Sequence, residues 1–215
     1  MICIIPARGG SKRLPGKNIK VLDGVPIINR VIRIAQESML FTHVIVSTDS
    51  SAIRNIVGDT CQVIMRPDRI CGDVPEDNVL DDVISQYDTN NFCRIYPFAA
   101  LLTPDRLRAG YLEYKTGNYD AVLECQKYGH PTQREFTLDK GYIYHGIIGL
   151  PTGELLPTYH DAGTFMFTNI KALKRPLAER NIKWLPVKEW EAQDIDDKDD
   201  WEMMEIKWRY KNAML

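Results

Sequence analysis

Short apolar runs alternate with helical patterns through the first half of the chain, and that alternation leaves few folds open. The runs span residues 2–5, 43–47, 61–65, 92–96 and 120–125, with helical segments at 26–38, 50–57, 76–87 and 104–115 between them. Short strands separated by helices of about ten residues specify βαβ units and a mostly parallel sheet. In such sheets ligands sit beyond the carboxyl ends of the strands. Ile27, Ile28, Val31, Ile32 and Ala35 recur at helical spacing and mark a core-facing stripe. Pro26 and Pro104 suit a first helical turn, and Thr103 and either Asp49 or Ser50 are candidate caps.

The second half is less regular. Glycines and prolines recur through 126–160, which reads as an insert of turns and short strands with a hairpin at 142–148. A strand returns at 163–168 and a short helix at 169–174. Residues 182–187 read as an edge strand because Pro186 lacks a ladder donor. The last helix, 197–209, runs from acidic to basic, the order its dipole favours. Trp201 and Trp208 lie seven apart on it and are expected to face the core. The 215 residues form one α/β domain, with the insert at about 126–162.

A net charge of −2 argues against a general nucleic-acid or membrane-surface protein. No apolar run reaches the ~18 residues that a membrane span needs. The amino-terminal segment has neither the basic region nor the apolar stretch of a signal peptide, so a cytoplasmic protein is expected. The five cysteines are odd in number, widely spaced and free of C-x-x-C, so they read as reduced thiols rather than a disulfide framework or zinc site.

The most informative stretch follows the first strand directly: Ala7-Arg8-Gly9-Gly10-Ser11-Lys12-Arg13-Leu14-Pro15-Gly16-Lys17-Asn18. Arg8, Lys12, Arg13, Lys17 and Lys20 place five cations in thirteen residues with no acid among them. Glycines let backbone N–H groups turn towards an anion, so this is a phosphate cradle in composition and position. It is not a P-loop. Five residues rather than four separate Gly10 from Gly16, and Asn18 stands where that motif needs Ser or Thr. A mobile, solvated basic loop is the bland alternative.

Two further groups stand out. In an extended Gln193-Asp194-Ile195-Asp196 the two carboxylates share one face. Such a pair, with phosphate oxygens and water, suits Mg²⁺. Residues 188–205 hold nine acids against two bases. For Asp197, Asp199, Asp200 and Glu202 a solvated helix start is the better reading. In the insert, Gln133, Arg134, His160 and Asp161 could line a pocket for a carboxylated, hydroxylated substrate, Arg134 gripping the carboxylate bidentately. Ordinary surface polarity is their alternative.

Residues 5–18 resemble the signature of the cytidylyltransferases that activate nine-carbon α-keto acid sugars, the CMP-nonulosonic acid synthetases. Val46-Ser47-Thr48-Asp49, Arg66-Pro67 and Gln193–Asp196 extend the likeness along nearly the whole chain in the expected order. Ile95-Tyr96-Pro97, the Gln133-Arg134 pair and Tyr159-His160-Asp161-Ala162-Gly163 resemble the branch that acts on pseudaminic acid. The resemblance implies a Rossmann-like nucleotidyltransferase fold and the transfer of CMP from CTP to the sugar's C2 hydroxyl, with release of pyrophosphate. It further implies that Arg8, Gly9, Gly10, Ser11, Lys12, Lys17, Asn18 and Arg66 hold the nucleotide, with Lys17, Arg8 and Lys12 acting on the phosphates. Asp194 and Asp196 would bind Mg²⁺, and Gln133, Arg134, His160, Asp161 and Tyr96 would line the sugar pocket. A homodimer formed through the insert is expected. The general base stays open between metal-bound hydroxide and a carboxylate such as Asp161. N-acetylneuraminic or legionaminic acid with the same chemistry is the nearest alternative, and a non-catalytic nucleotide-binding module is another. The sequence departs from the branch at Phe98, Ala100, Asp77 and Thr164: Phe98 removes a hydroxyl near the substrate, and Asp77 puts a carboxylate where phosphate would be repelled unless it turns away or meets metal.

Overall fold

Alternate residues of the first strand feed opposite faces of the sheet, as its period of two requires. Cys3 and Ile5 pack into one cluster, and Ile2 and Ile4 into the other. The computed structural model describes residues 1–134, 136–137, 141–142 and 151–213. Its central sheet contains β1 (Ile2–Pro6), β2 (His43–Thr48), β3 (Gln62–Met65), β4 (Asn91–Ile95), β5 (Ala121–Lys127), β6 (Tyr159–Asn169) and β7 (Ile182–Val187). Across the sheet the order is β7-β5-β6-β4-β1-β2-β3. Only β6 runs against its neighbours β4 and β5; the other pairings are parallel.

Helices cover both faces. From α1 (Ile27–Glu37), α2 (Ser51–Val57) and α4 (Pro104–Lys115) come Val31, Ile53 and Leu107 on one side. From α3 (Glu76–Ile84) and α5 (Ile170–Leu173) come Leu80, Val83 and Leu173 on the other. All five stripe residues of α1 are buried. In α4 a Cβ at Gly110 would lie 2.6 Å from the Phe165 ring, so glycine there allows the helix to approach the sheet. A third cluster lies at the carboxyl edge, where Leu14, Phe98, Leu101 and Ile195 meet Trp201 and Met204 of α6 (Lys198–Ala213).

The doubly covered, mostly parallel sheet expected from the alternation is present, and Ile182–Val187 is its edge strand. Several boundaries move. Pro26 pairs with Val21 in a two-residue ribbon, so α1 begins one residue later. The third helix stops at Ile84. The strand expected at 163–168 begins at Tyr159, because Tyr159, His160 and Asp161 continue the ladder against β5. His160 and Asp161 therefore lie on a strand, not in a loop. Between β5 and β6 the described residues 128–134 and 151–158 lie outside the central sheet, and Phe136–Thr137 pairs with Gly141–Tyr142. Residues 143–148 of the expected hairpin lie outside the described residues. All five cysteines are free thiols.

Candidate active site

The loop after β1 is fixed by one carboxylate. Asp49, at the end of β2, accepts the Gly9 N–H at 2.7 Å on one oxygen and the Gly72 N–H at 2.9 Å on the other. The loops after β1 and β3 are thereby joined. A Cβ on Gly9 would come 2.7 Å from the Ser50 Cβ, so glycine permits that approach. Burial opposes the Asp49 charge, but the bonds from Gly72 and Gly9 and the charge of Arg66 outweigh it and hold the carboxyl below its ordinary value. Of the two candidate caps, Ser50 takes the role, accepting from the Ile53 N–H at 3.4 Å. Thr103 caps α4 as expected.

The cations of the loop divide between two carboxylates. Arg8 and Lys12 meet Asp73 at 2.5 and 3.7 Å. Arg13 and Lys17 meet Asp196 at 2.7 and 3.4 Å. Lys17 also donates to the Ile195 carbonyl at 2.5 Å and lies 4.6 Å from the Phe98 ring centre. Arg66, at the end of β3, is buried and donates to the Ser47 carbonyl at 3.1 Å. Burial pulls its guanidinium below its ordinary value, against the charges of Asp49, Cys71 and Glu76.

Arg8, Lys17, Asn18, Arg66, Tyr96, Asp194 and Asp196 line one cleft of about 290 Å³ at the carboxyl edge of the sheet, together with Val74, Glu76, Val79 and Phe98. A larger hollow of about 470 Å³ opens at the opposite edge, near Asn91, Tyr119 and Asn181. It holds none of the cradle residues, so the smaller cleft is the candidate site. Asn18 is nearly buried and donates to the Arg8 carbonyl at 2.9 Å. Its buried Oδ1 has no hydrogen-bond partner.

Burial and the nearby Asp196 charge push the Asp194 carboxyl above its ordinary value. Burial acts in the same direction on Asp196, but Lys17 and Arg13 overcome it and lower that group. Two carboxylates in mutual repulsion beside a cationic cradle fit a hard divalent ion that keeps water and phosphate ligands. Gly163, at φ +64°, lies against Asp194: a Cβ there would be 3.2 Å from the Asp194 Cβ. Next along the chain, Asp200 accepts from the Asp197 N–H at 3.2 Å, while Asp197 accepts from the Asp200 N–H at 3.1 Å. These two acids thus cap α6 reciprocally.

A buried polar network that sequence reasoning missed holds the carboxylate segment. Glu124 of β5 pairs bidentately with Arg106 and accepts from Thr164 at 2.7 Å. Gln126 donates to the carbonyls of Lys188, Glu189 and Ala192 at 3.1 to 3.2 Å. Lys207 donates to the Ala192 carbonyl at 3.0 Å. A visible signal existed: Glu124 and Gln126 are two apart on a strand whose other residues up to its terminal Lys127 are apolar, and they share a face.

Tyr96 stacks on Phe98 with ring centres 5.3 Å apart, and the buried Arg94 guanidinium lies 3.7 Å from the centre of the Tyr96 ring. Phe98 therefore packs into the cleft wall and carries Lys17. Asp77 faces Arg180 at 3.9 Å and is absent from the cleft lining, which answers the expected repulsion. The remaining sugar-pocket candidates are not brought to the cleft. Gln133 donates to the Leu156 carbonyl at 3.2 Å, Arg134 is exposed in the same short turn, and His160 packs on Tyr128. Asp161 is absent from the lining but accepts from the N–H of Gly163, the glycine that lies against Asp194, at 2.8 Å. Gly9, Gly10, Ser11 and Lys12 belong to the loop but not to the lining.

Comparison with known proteins follows the same lines. A cytidylyltransferase family model matches residues 2–137. A pseudaminic acid cytidylyltransferase of Campylobacter jejuni is 31% identical over 185 residues, which are 80% of this chain and 79% of that protein. An N-acylneuraminate cytidylyltransferase of Streptococcus agalactiae is 31% identical over 93% of this chain, which spans only 51% of that longer protein. Among solved structures, CMP:2-keto-3-deoxy-manno-octonic acid synthetase complexed with CTP shares the fold at a TM-score of 0.75 and 16% identity, over 98% of each chain.

Proposed function

Because the chain belongs to the cytidylyltransferase family, we propose that it transfers CMP from CTP to the C2 hydroxyl of a nine-carbon α-keto acid sugar, pseudaminic acid foremost. One observation carries the reading. Arg8, Lys17, Asn18 and Arg66, drawn from two loops, converge on a cleft that also receives Asp194 and Asp196. A triphosphate placed among those cations is neutralised along its length, and Asn18 Oδ1 is a ready acceptor for a ribose hydroxyl.

In the reaction a bond forms between the C2 oxygen and the α-phosphorus, and the bond from that phosphorus to the bridging oxygen breaks. Pyrophosphate leaves with the electron pair, and the C2 hydroxyl gives up its proton. Phosphoryl chemistry of this kind depends on positioning and preorganised charge. Lys17 is positioned for it, fixed by Ile195 and Asp196 and set against Phe98. Asp194 and Asp196 would hold Mg²⁺, which supplies charge neutralisation at the α-phosphate and on the departing pyrophosphate.

The sugar side is completed by a second copy in this reading. Gln133, Arg134 and His160 stand away from the cleft of their own chain, and Leu156 and Tyr159 beside them are 81% and 48% exposed. The dimer and a cytoplasmic location belong to the proposal. Among the described residues no helix is long and apolar enough to cross a membrane.

The test is pyrophosphate release from CTP with Mg²⁺, with pseudaminic and N-acetylneuraminic acids run in parallel. Release with pseudaminic acid alone supports the proposal in full. The streptococcal relative is as similar as the Campylobacter one, so release with N-acetylneuraminic acid alone would keep the chemistry and change the substrate. Silence with both, and with legionaminic acid, would leave a nucleotide-binding module.

A further inference from the structure

We propose that Glu76 reads the nucleotide base, accepting a hydrogen bond from the 4-amino group of cytosine and turning uracil away. The inference rests on the reading that a cytidine nucleotide fills this cleft.

The cleft has three carboxylates in its lining, and they are not equivalent. Asp194 and Asp196 lie with Lys17, as a metal and phosphate end requires. Glu76 comes from a different segment, where its companions in the lining are Val74 and Val79. A carboxylate repels phosphate, so Glu76 serves an uncharged part of the ligand. The flat face of a pyrimidine suits the apolar surfaces of Val74 and Val79. At its edge cytosine presents an amino donor where uracil presents a carbonyl acceptor. An ionised carboxylate only accepts, so it distinguishes the two at that one atom.

Glu76 is also held in place. Its Oε1 lies 3.1 Å from Nε of Arg94, whose side chain is 4% exposed against 33% for Glu76. Arg94 is itself absent from the cleft lining and stacks on Tyr96. Two of its nitrogens, Nε and Nη1, lack a hydrogen-bond partner of good geometry. Without Glu76 this buried cation would lose its ion-pair partner and keep only the Asp161 carboxylate among nearby acids, which is unfavourable. Arg94 therefore acts as a positioning residue, fixing one carboxylate oxygen and the aromatic ring beside it. No other cation among the described residues forms an ion pair with Glu76.

The experiment compares CTP and UTP with the full chain and Mg²⁺, by equilibrium binding and by pyrophosphate release. Wild type is expected to favour CTP. In Glu76→Gln the amide can turn to offer either a donor or an acceptor, so CTP binding should weaken and the CTP-to-UTP preference should fall roughly 10- to 100-fold, the scale of one hydrogen bond to a charged group. Glu76→Asp keeps the charge near Arg94 but withdraws it from the base; it should lose CTP affinity too, and it serves if the glutamine variant does not fold. Unchanged preference in a folded variant overturns the inference. So does preserved preference in Glu76→Gln together with its loss in Asn18→Asp, which would move the reader to Asn18. A wild type that selects CTP in binding yet transfers it to no acid would refute the transferase reading and leave this one standing.

Discussion

Lys17 and Ile195 are joined by a hydrogen bond of 2.5 Å from the ammonium to the backbone carbonyl. A side chain of the first loop is thereby fixed to the last acidic segment, and the Lys17 charge is aimed by backbone as well as by Asp196. Substitution Lys17→Ala should remove that charge from the cradle and cost roughly 100-fold or more in turnover, the scale of losing one preorganised stabilising group. Steady-state kinetics over a CTP titration checks this. Wild-type values would take the loop out of the site.

Asp194→Asn should separate stability from activity. The folded state holds this carboxyl above its ordinary value, so folding favours its protonated form. Stability is then lost as pH rises from about 4, the ordinary carboxylate value, through the raised one. The asparagine variant is expected to melt at or above the wild-type temperature at neutral pH and to lose Mg²⁺-dependent turnover. A lower melting temperature at pH 7 would contradict the repulsion between Asp194 and Asp196.

Asp49 has the opposite sign. Its folded value is depressed, so its contribution is fully present above its ordinary value near 4 and disappears as pH falls through the depressed one. Melting curves of wild type and Asp49→Asn should differ at pH 7 and converge in acid. A gap that persists in acid would assign the effect to shape rather than charge.

Arg106→Met leaves Glu124, 2% exposed, with the Thr164 hydroxyl donating to it at 2.7 Å and no guanidinium beside it. Removing one partner of a buried pair costs about 3 to 5 kcal/mol. Urea unfolding should show that loss. A variant within about 1 kcal/mol of wild type would mean that water reaches Glu124 and replaces the guanidinium.

Much of this molecule was legible in the sequence because the controlling signals are local. The α1 stripe, the Thr103 cap and the proline-broken edge strand each depend on residues a few positions apart. The basic, glycine-rich loop was legible for the same reason, as a run of cations and glycines after a strand. Asp194 and Asp196 stood out by their spacing, though their metal role comes mainly from the family resemblance, and Asp77 turns away from the cleft, as one of its two readings allowed, towards an Arg180 that lies far along the chain. Non-local pairings stayed hidden. Nothing near Arg94 in the sequence announces Glu76, and nothing near Gln126 announces the carbonyls of 188–192. The sugar-pocket residues were grouped by chemistry alone, and β6 carries His160 into a ladder instead of into the cleft.

The distance along the chain between Lys17 and Ile195 also bears on how the protein is made. The cradle, Arg66 and the aromatic wall are synthesised well before their counter-charge at Asp196, which lies far along the chain from Lys17. Until that segment folds against the loop, Arg13 and Lys17 lack the Asp196 carboxylate.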